Sequence, residues 1–351
     1  MKHPQRYYSL IVLSLAFAAI GCPAAPGPVA PPPAPNSAGT TPQSSAGTNG
    51  SDESEAVPIQ LILNWFPEAE HGGFYAALVH GYYKEAGLDV EIVPGGPGVK
   101  ASLQVATKRR TFGIDNADKI LMAASQEATT VALMSPMQIS PRCIMVHEAS
   151  GIKKFEDLKD ITLAMGTTQT FSLFMQKKLP LTNIRVVPYK GALARFLTED
   201  DFAQQAYVFS EPFIAKQKGA KPYNLMVSDL GFDPYTSVLV THPETIQEDP
   251  SMVRGFVQAS VKGWQKYLES PKETNEHIEK QNTEMDQDIL AFGADALKPL
   301  CVTDEVPTEN MGAMTLKRWQ TLADQLVEVE AIDKGSVDVS KIVDTQFLKA
   351  K

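Results

Sequence analysis

The chain contains few cysteines and none of the short motifs that mark common enzyme classes. Only three cysteines occur in 351 residues, and no His, Cys or Asp cluster has the spacing of a metal site. There is no P-loop, so hydrolysis of ATP is not expected of this chain. No Ser-His-Asp arrangement and no internal repeat is evident. The sequence therefore predicts no catalytic residue, no metal and no cofactor.

A long apolar run is also lacking, because the one near the N-terminus is short. Residues 9–20 are apolar over about a dozen positions, too few to span a bilayer, and they come after Lys2 and Arg6. This layout is typical of a secretory signal. The run ends in "AAIGC", which resembles the bacterial lipobox. That resemblance implies a signal peptide over residues 1–21 and lipidation of Cys22; the alternative is an ordinary signal peptide with a chance cysteine.

Large apolar residues are nearly absent from the next segment. Residues 22–56 are rich in Pro, Ala, Gly, Ser and Thr, and Val29 is their largest apolar side chain before the folded part. Such a segment cannot bury enough surface to offset the entropy of ordering, so we expect a disordered tether. A tether would hold a lipid-anchored domain away from the membrane, in the cell envelope, facing the periplasm or the exterior.

Positive charge is in deficit. The chain has a net charge of −9, and loss of Lys2 and Arg6 with the signal would make it more acidic still. An acidic protein is a poor partner for nucleic acid. The two cysteines after Cys22 are Cys143 and Cys301, and their spacing leaves open whether they form a disulfide or remain buried thiols, which is the simpler interpretation.

The chain after the tether alternates between strand and helix patterns. "VPIQLILNWF" has strand character, "GGFYAALVHGYYKEAG" predicts one helix closed by Gly87, and "LDVEIVPGG" is a strand again. The pattern restarts near residue 150, and the last hundred residues are mostly helical. Alternation of this kind predicts an α/β fold with parallel sheets, here as two lobes around a cleft with a helical C-terminal segment.

Three stretches of this region resemble a known family. They are "LNWFP", "HGGFY" and "GYYKEAGLDV", and together they are similar to the thiamine-precursor-binding proteins, a group that includes pyrimidine binders of ABC importers and the yeast thiamine pyrimidine synthase. The third stretch is shared with sulfonate, taurine and nitrate binders. The resemblance covers most of the chain after Val57 and weakens in the C-terminal third.

The resemblance implies the type II periplasmic-binding fold, in which two α/β lobes close over a ligand. Lobe one would comprise residues 57–147 and the returning C-terminal segment 236–351, and lobe two residues 148–235. The hinge would lie near His147 and Tyr235.

The function implied is that of a substrate-binding lipoprotein, not an enzyme. Its ligand would be a small aminopyrimidine of the hydroxymethylpyrimidine or formylaminopyrimidine type, and its partner a membrane permease with a separate ATPase. The yeast synthase carries a run of cysteines that this chain lacks. The alternatives are a binder of alkanesulfonate, taurine or nitrate and, further off, a pyrimidine-synthesising enzyme.

Several candidate ligand contacts surround the first predicted strand end. Open α/β sheets bind ligands at the carboxyl ends of their strands, and aromatic side chains stack on flat rings. Trp65 and Tyr75 are therefore predicted to contact the ligand, with His71 beside them. Gly72 would let the backbone approach the ligand without a Cβ in the way.

The next strand end and the neighbouring aromatic residues have competing interpretations. Phe66 and Phe74 are predicted to be core. Asp115 and Asn116 end the "FGIDN" stretch, where they contact the ligand or cap the following helix, and capping is favoured.

In lobe two the candidates lie in "MGTTQTF", "RVVPY" and "YVFSEPF". Thr167, Thr168 and Thr170 stand at a helix start, where they bind a polar ligand group or cap the helix. Tyr189 ends a predicted strand. Glu211 lies where the family places a residue that reads the ligand, and its carboxylate can accept hydrogen bonds from a ring amino group; the alternative is a surface acid on a loop.

Overall fold

The computed structural model describes residues 56–349. The predicted signal (1–21), the lipidation site Cys22 and the tether (22–56), except Ala56, lie outside this range. Within it the strands are β1 (Val57–Ile62), β2 (Leu88–Val93), β3 (Phe112–Asp115), β4 (Val131–Met134), β5 (Arg142–His147), β6 (Thr162–Met165), β7 (Arg185–Pro188), β8 (Phe202–Tyr207), β9 (Pro222–Met226) and β10 (Val238–Thr241). The helices are α1 (Gly72–Val79), α2 (Tyr82–Glu85), α3 (Ala101–Ala106), α4 (Ala117–Ala124), α5 (Thr170–Lys178), α6 (Ala194–Thr198), α7 (Glu211–Gln217), α8 (Pro243–Glu248), α9 (Pro250–Glu269), α10 (Lys272–Gln281), α11 (Gln287–Cys301) and α12 (Leu316–Glu328).

The strands form two five-stranded sheets of the same design. The first has the order β2-β1-β3-β10-β4 and the second the order β7-β6-β8-β5-β9. Four strands of each sheet run in the same direction, whereas β10 and β5 run antiparallel to both of their neighbours. The α/β fold with two sheets is confirmed. The sheets are mixed, not purely parallel, because β5 and β10 each enter their sheet by crossing over from the other one.

The crossover into the second sheet comes earlier than the sequence suggests. Strand β5, which a boundary at His147 assigns to lobe one, pairs with β8 and β9 of the second sheet. The two crossing segments run side by side, since Met137 and Thr236 form an antiparallel bridge and Ser135 Oγ donates to the Thr236 carbonyl at 3.0 Å.

The helix predicted as one piece after "HGG" is two helices. Gly81 separates α1 from α2 with a backbone φ of 78°, a left-handed conformation that glycine adopts without a Cβ clash. The break turns α2 so that Tyr83 is buried, its hydroxyl 2.9 Å from Ser260 Oγ on α9.

Helix α9 holds the first sheet and α1 together. It begins at Pro250, and the Asp249 side chain accepts hydrogen bonds from the amides of Ser251 and Met252, a strong N-cap. On its buried face the Phe256 ring stacks 4.0 Å from that of Phe112 on β3.

The two cysteines in the described range are both free and buried. The interpretation as buried thiols is therefore confirmed, and the disulfide between Cys143 and Cys301 does not form. No helix within residues 56–349 combines the length and the apolar character needed to cross a membrane.

Candidate functional site

The first wall of the site lies just after β1. Trp65 and Phe66 are 41% and 46% exposed and meet edge to face with their ring centroids 5.5 Å apart. Beneath them the Trp65 carbonyl accepts from the Gly95 amide at 3.0 Å, so the glycine turn after β2 supports this strand end. The prediction that Phe66 is core is wrong, whereas Phe74 is fully buried as predicted.

A polar network occupies the space behind this strand end. Asn64 Nδ2 donates to Glu70 Oε1 at 3.0 Å, and Ser237 Oγ donates to the same oxygen at 2.8 Å. His71 Nε2 lies 2.9 Å from Asn64 Oδ1. Because burial lowers the pKa of His71 to about 3, the ring is neutral, and Nε2 must carry the proton to donate to the amide oxygen. His71 thus positions Asn64, which in turn holds Glu70.

The network continues to the second sheet through Asn116. Asn116 Oδ1 accepts from the Ser237 amide at 3.4 Å, and its Nδ2 donates to the Tyr207 hydroxyl at 3.0 Å. Tyr207 is the last residue of β8, so this bond joins strand ends of the two sheets. The favoured capping role of Asn116 is wrong, because its side chain makes no capping hydrogen bond to α4.

Arg142 brings positive charge to the site. It begins β5 opposite Tyr207 in the ladder, and its guanidinium lies 4.1 Å from the centroid of the Tyr207 ring and 4.9 Å from that of Phe171. Cations over aromatic faces are attracted by the ring quadrupole. Register and stacking together hold Arg142 at the strand end. Burial raises the pKa of nearby Glu70, and the hydrogen bonds from Asn64 and Ser237, followed by the charge of Arg142, offset part of that rise.

Glu211 begins α7 and is hydrogen-bonded at the ends of two strands, β7 and β8, which flank β6 in the second sheet. Its Oε1 accepts from the Tyr189 hydroxyl at 2.7 Å, and its Oε2 accepts from the Tyr207 amide at 2.9 Å. Burial, followed by the charge of Glu211, raises the pKa of Tyr189, so the phenol keeps its proton and donates. Glu211 is therefore an oriented carboxylate in the cleft and not a loose surface acid.

A second bond between the two halves involves Thr170 at the start of α5. Its Oγ1 donates to Asp118 Oδ2 on α4 at 2.5 Å, and both residues are largely buried. Thr167 and Thr168 on the preceding loop are exposed, so they remain free to meet a ligand. Thr170 is instead hydrogen-bonded to a helix of the other half.

Three other predicted contacts have structural partners. Asp115 accepts from the Ser102 hydroxyl at 2.7 Å and from the Ser102 amide at 3.3 Å, which binds it to the N-terminal turn of the preceding helix α3 and not to α4. Tyr75 is 2% exposed, with its ring centroid 5.6 Å from that of His277 on α10. A Cβ on Gly72 would fall 2.1 Å from the Tyr267 ring of α9, so helix packing accounts for this glycine.

Several residues of the site were not predicted from sequence: Asn64, Glu68, Glu70, Arg142, Tyr207 and Ser237. Glu68 and Glu70 carried a signal, since two acids in an otherwise apolar and aromatic stretch are unusual in a buried position. Arg142 carried a weaker one, as a charge at the start of an apolar strand. Ser237 has none, because its partners are 121 and 167 residues away.

Among residues 56–349 no cluster of His, Cys, Asp or Glu has the arrangement of a metal site. The candidate site lies where strand ends of the two sheets meet, and it combines exposed aromatic rings with oriented polar groups. Architecture of this kind belongs to the periplasmic-binding class, whose ligands lie between two α/β halves.

Comparison with known proteins supports this class and narrows it. The periplasmic aliphatic sulphonate binding protein SsuA from Escherichia coli has the same fold, with a TM-score of 0.63 at 16% identity over 84% of this chain and 94% of that one. Residues 68–274 match the NMT1/THI5-like family. Because this match spans more than half of the chain, the protein belongs to that family.

Two curated proteins are similar in sequence. The formylaminopyrimidine-binding protein of Halalkalibacterium halodurans is 21% identical over 78% of this chain and 86% of its own length. The Saccharomyces cerevisiae 4-amino-5-hydroxymethyl-2-methylpyrimidine phosphate synthase THI11 is 23% identical over 63% of this chain and 73% of its own. The first is named for binding and the second for synthesis.

Proposed function

We propose that this protein is the substrate-binding component of an ABC importer and that it binds a small aminopyrimidine thiamine precursor. The observation that carries the proposal is a path of hydrogen bonds between the two halves. It runs from Asn64 and Glu70 through Ser237, Asn116 and Tyr207 to Glu211. A path of this kind presents fixed donors and acceptors from both halves to one ligand. Contacts to both halves favour a closed form.

The chemistry of a pyrimidine suits these groups. Its two faces can stack on the exposed Trp65 and Phe66 rings, an interaction worth about 1–3 kcal/mol per base in nucleobase sites. Its amino group can donate to the Glu211 carboxylate, which Tyr189 and the Tyr207 amide hold in place. The relative from Halalkalibacterium halodurans, named for a formylaminopyrimidine, supports the same ligand class.

An anionic ligand fits less well, although the fold is shared with sulfonate binders. After burial, the charges of Glu70 and Glu211 raise the pKa of Glu68, and the charges of Glu211 and Glu68 raise that of Tyr189. Arg142 is the cation whose charge lowers the pKa of Glu70 and Tyr189. A sulfonate or nitrate would therefore meet three carboxyl groups and one guanidinium. We thus rank alkanesulfonate, taurine and nitrate below the pyrimidines, and synthesis below binding.

The remaining parts of the proposal concern the envelope. Lipidation of Cys22 would anchor the protein to the membrane, and residues 22–56 would let the binding domain reach a permease. Closure would then turn about the paired crossing segments at Met137 and Thr236, and the closed form would dock on the permease.

A ligand screen tests the proposal. Hydroxymethylpyrimidine and formylaminopyrimidine should raise the melting temperature, since a ligand that binds only the native state stabilises it by about 2.7 kcal/mol at a hundredfold excess over Kd. Taurine and nitrate should not. Trp65→Ala should weaken pyrimidine binding measured by calorimetry, whereas Tyr223→Ala should not, because Tyr223 lies opposite Val146, away from the Arg142 end of β5. A shift with a sulfonate and none with any pyrimidine would contradict the proposal.

A further inference from the structure

Glu68 is a buried acid whose carboxyl group has no partner within residues 56–349. It lies between Pro67 and Ala69, just before α1, and is 5% exposed. Its backbone carbonyl accepts from the His71 amide at 3.0 Å, but among the described residues its carboxyl group makes no side-chain hydrogen bond and no ion pair. Buried polar groups are nearly always hydrogen-bonded, and a buried charge without a partner is strongly unfavourable.

The groups around Glu68 come from both sides of the cleft. Burial, followed by the negative charges of Glu70 and Glu211, raises its pKa well above the usual value. Burial is the larger cause of the raised pKa of Tyr189, after β7, and of Tyr267, on α9, and the charge of Glu68 adds to both. The geometry agrees, because a Cβ on Gly293 of α11 would fall 2.6 Å from Ala69, the residue after Glu68, and 3.3 Å from the Phe209 carbonyl oxygen. Glu68 therefore lies close to the segment of the second half that carries Glu211.

None of its neighbours in the described part of the chain supplies a counter-charge. Glu70 is held by Asn64 and Ser237, and Glu211 by Tyr189 and the Tyr207 amide. The Arg142 guanidinium lies on the Tyr207 and Phe171 rings and within the described residues forms no ion pair. With three carboxyl groups and one guanidinium, the cleft lacks positive charge where Glu68 stands.

We propose that Glu68 is a specificity-determining residue that selects a ligand with a basic nitrogen and binds it as a cation. The inference rests on the proposed function for the position of the ligand and adds its charge. A neutral acid at Glu68 can give its proton to a basic ring nitrogen, which leaves a carboxylate paired with a cation. A ligand that is already protonated instead displaces the Glu68 proton into solvent.

This proton balance predicts how binding depends on pH. Below the ligand's own pKa one proton leaves the site for each ligand bound, and above it none does. Calorimetry in two buffers of different ionisation enthalpy counts these protons in the unmodified protein, so this measurement requires no variant.

The variant experiment compares two ligands of equal shape, 4-amino-5-hydroxymethyl-2-methylpyrimidine and its 4-oxo analogue, which is not basic. The parent should prefer the amino compound. Glu68→Gln should lower affinity for it by about thirtyfold or more, since removing one partner of a buried charged pair costs about that much. The preference should shrink by the same factor, and only the part that the amino group owes to Glu211 should remain. Glu284→Gln, an exposed acid, is the matched control. Circular dichroism checks folding, and Glu68→Asp keeps the charge if the glutamine variant does not fold.

A third probe, benzylammonium, separates the two proposals. Equal binding of both pyrimidines, insensitive to Glu68→Gln, would overturn the role of Glu68 and leave the proposed function standing. Binding of benzylammonium that depends on Glu68, with no binding of either pyrimidine, would support the charge selection and contradict the pyrimidine function. Absence of binding by all three probes would overturn both.

Discussion

The hydrogen bond between Thr170 and Asp118 offers a sharp test of how the two halves are held together. Thr170 Oγ1 donates to Asp118 Oδ2 at 2.5 Å, and the other carboxylate oxygen, Oδ1, is buried without a partner among the described residues. Thr170→Val keeps the shape of the side chain and removes the donor. It therefore leaves the Asp118 carboxylate without this donor wherever the halves are in contact.

The size of the effect can be worked out from this geometry. A hydrogen bond to a charged group is worth about 1.5–3 kcal/mol, which corresponds to roughly 10- to 150-fold in an equilibrium constant. In an open form Asp118 would be hydrated, so the loss should fall mainly on closure and less on folding. Because apparent affinity scales with the fraction of competent molecules, Kd for the pyrimidine should rise by at least about tenfold.

Calorimetry would measure the affinity, and urea denaturation the free energy of unfolding. Thr321→Val is the matched control, since Thr321 is exposed on α12 and its hydroxyl donates to the Lys317 carbonyl of the same helix. A double-mutant cycle with Asp118→Ala should give a coupling energy of about 1–3 kcal/mol. If Thr170→Val weakens binding no more than Thr321→Val does, or if it lowers stability while affinity is unchanged, the bond does not contribute to closure and the reasoning fails.

Four further predictions concern packing, the pH dependence of stability and the membrane. Gly73→Ala places a Cβ 2.1 Å from the Trp264 ring, so urea denaturation should show a loss of about 1–3 kcal/mol or more, whereas Gly219→Ala, with open space around it, should lose only the strain of its positive φ. The pKa of His71 is about 3 in the folded protein, against an ordinary value of 6.5, so between these two pH values the unfolded chain binds more protons than the native state. The stability that neutral His71 contributes is therefore complete above pH 6.5 and is lost as the pH falls through this range, at up to about 1.4 kcal/mol per pH unit. His71→Gln should remove this slope. For Glu68 the sign is opposite, because its raised pKa makes the native state bind more protons; parent stability should fall as pH rises above about 4.5, and Glu68→Gln should remove that fall. Cys22→Ser should move the protein from the membrane to the soluble fraction of cells, and unchanged fractionation would contradict the lipid anchor.

Much of the fold was predictable because its signals are local. Strand and helix alternation depends on side chains two to four positions apart. The "LNWFP" and "HGGFY" stretches are likewise local, since each is an unbroken run of five residues. Trp65 and Glu211 were identified as candidates for the same reason: each comes after an apolar strand, and strand ends in α/β sheets are where ligands bind.

Other features were decided by partners distant in sequence. Tyr75 and Gly72 stand in a motif that suggests ligand contact, yet α9 and α10 cover them, and no local pattern shows which face of α1 those helices will take. Phe66 has a large apolar side chain of the kind usually found in a core. The strand ends before it, however, and its ring is left exposed beside Trp65.

Short-range periodicity and turn residues determined the order of the elements, the α/β class and the strand ends at which a site can form. Which polar groups meet at those strand ends was decided by the tertiary structure. In the sequence, Glu68 stands out only as an acid in an otherwise apolar and aromatic stretch. Its lack of a counter-charge depends on the tertiary structure, in which β5 brings Arg142 to the Tyr207 ring and α7 brings Glu211 to Tyr189. Charge balance in a buried cleft is a sum over groups from many segments, so it exists only once the two sheets are assembled.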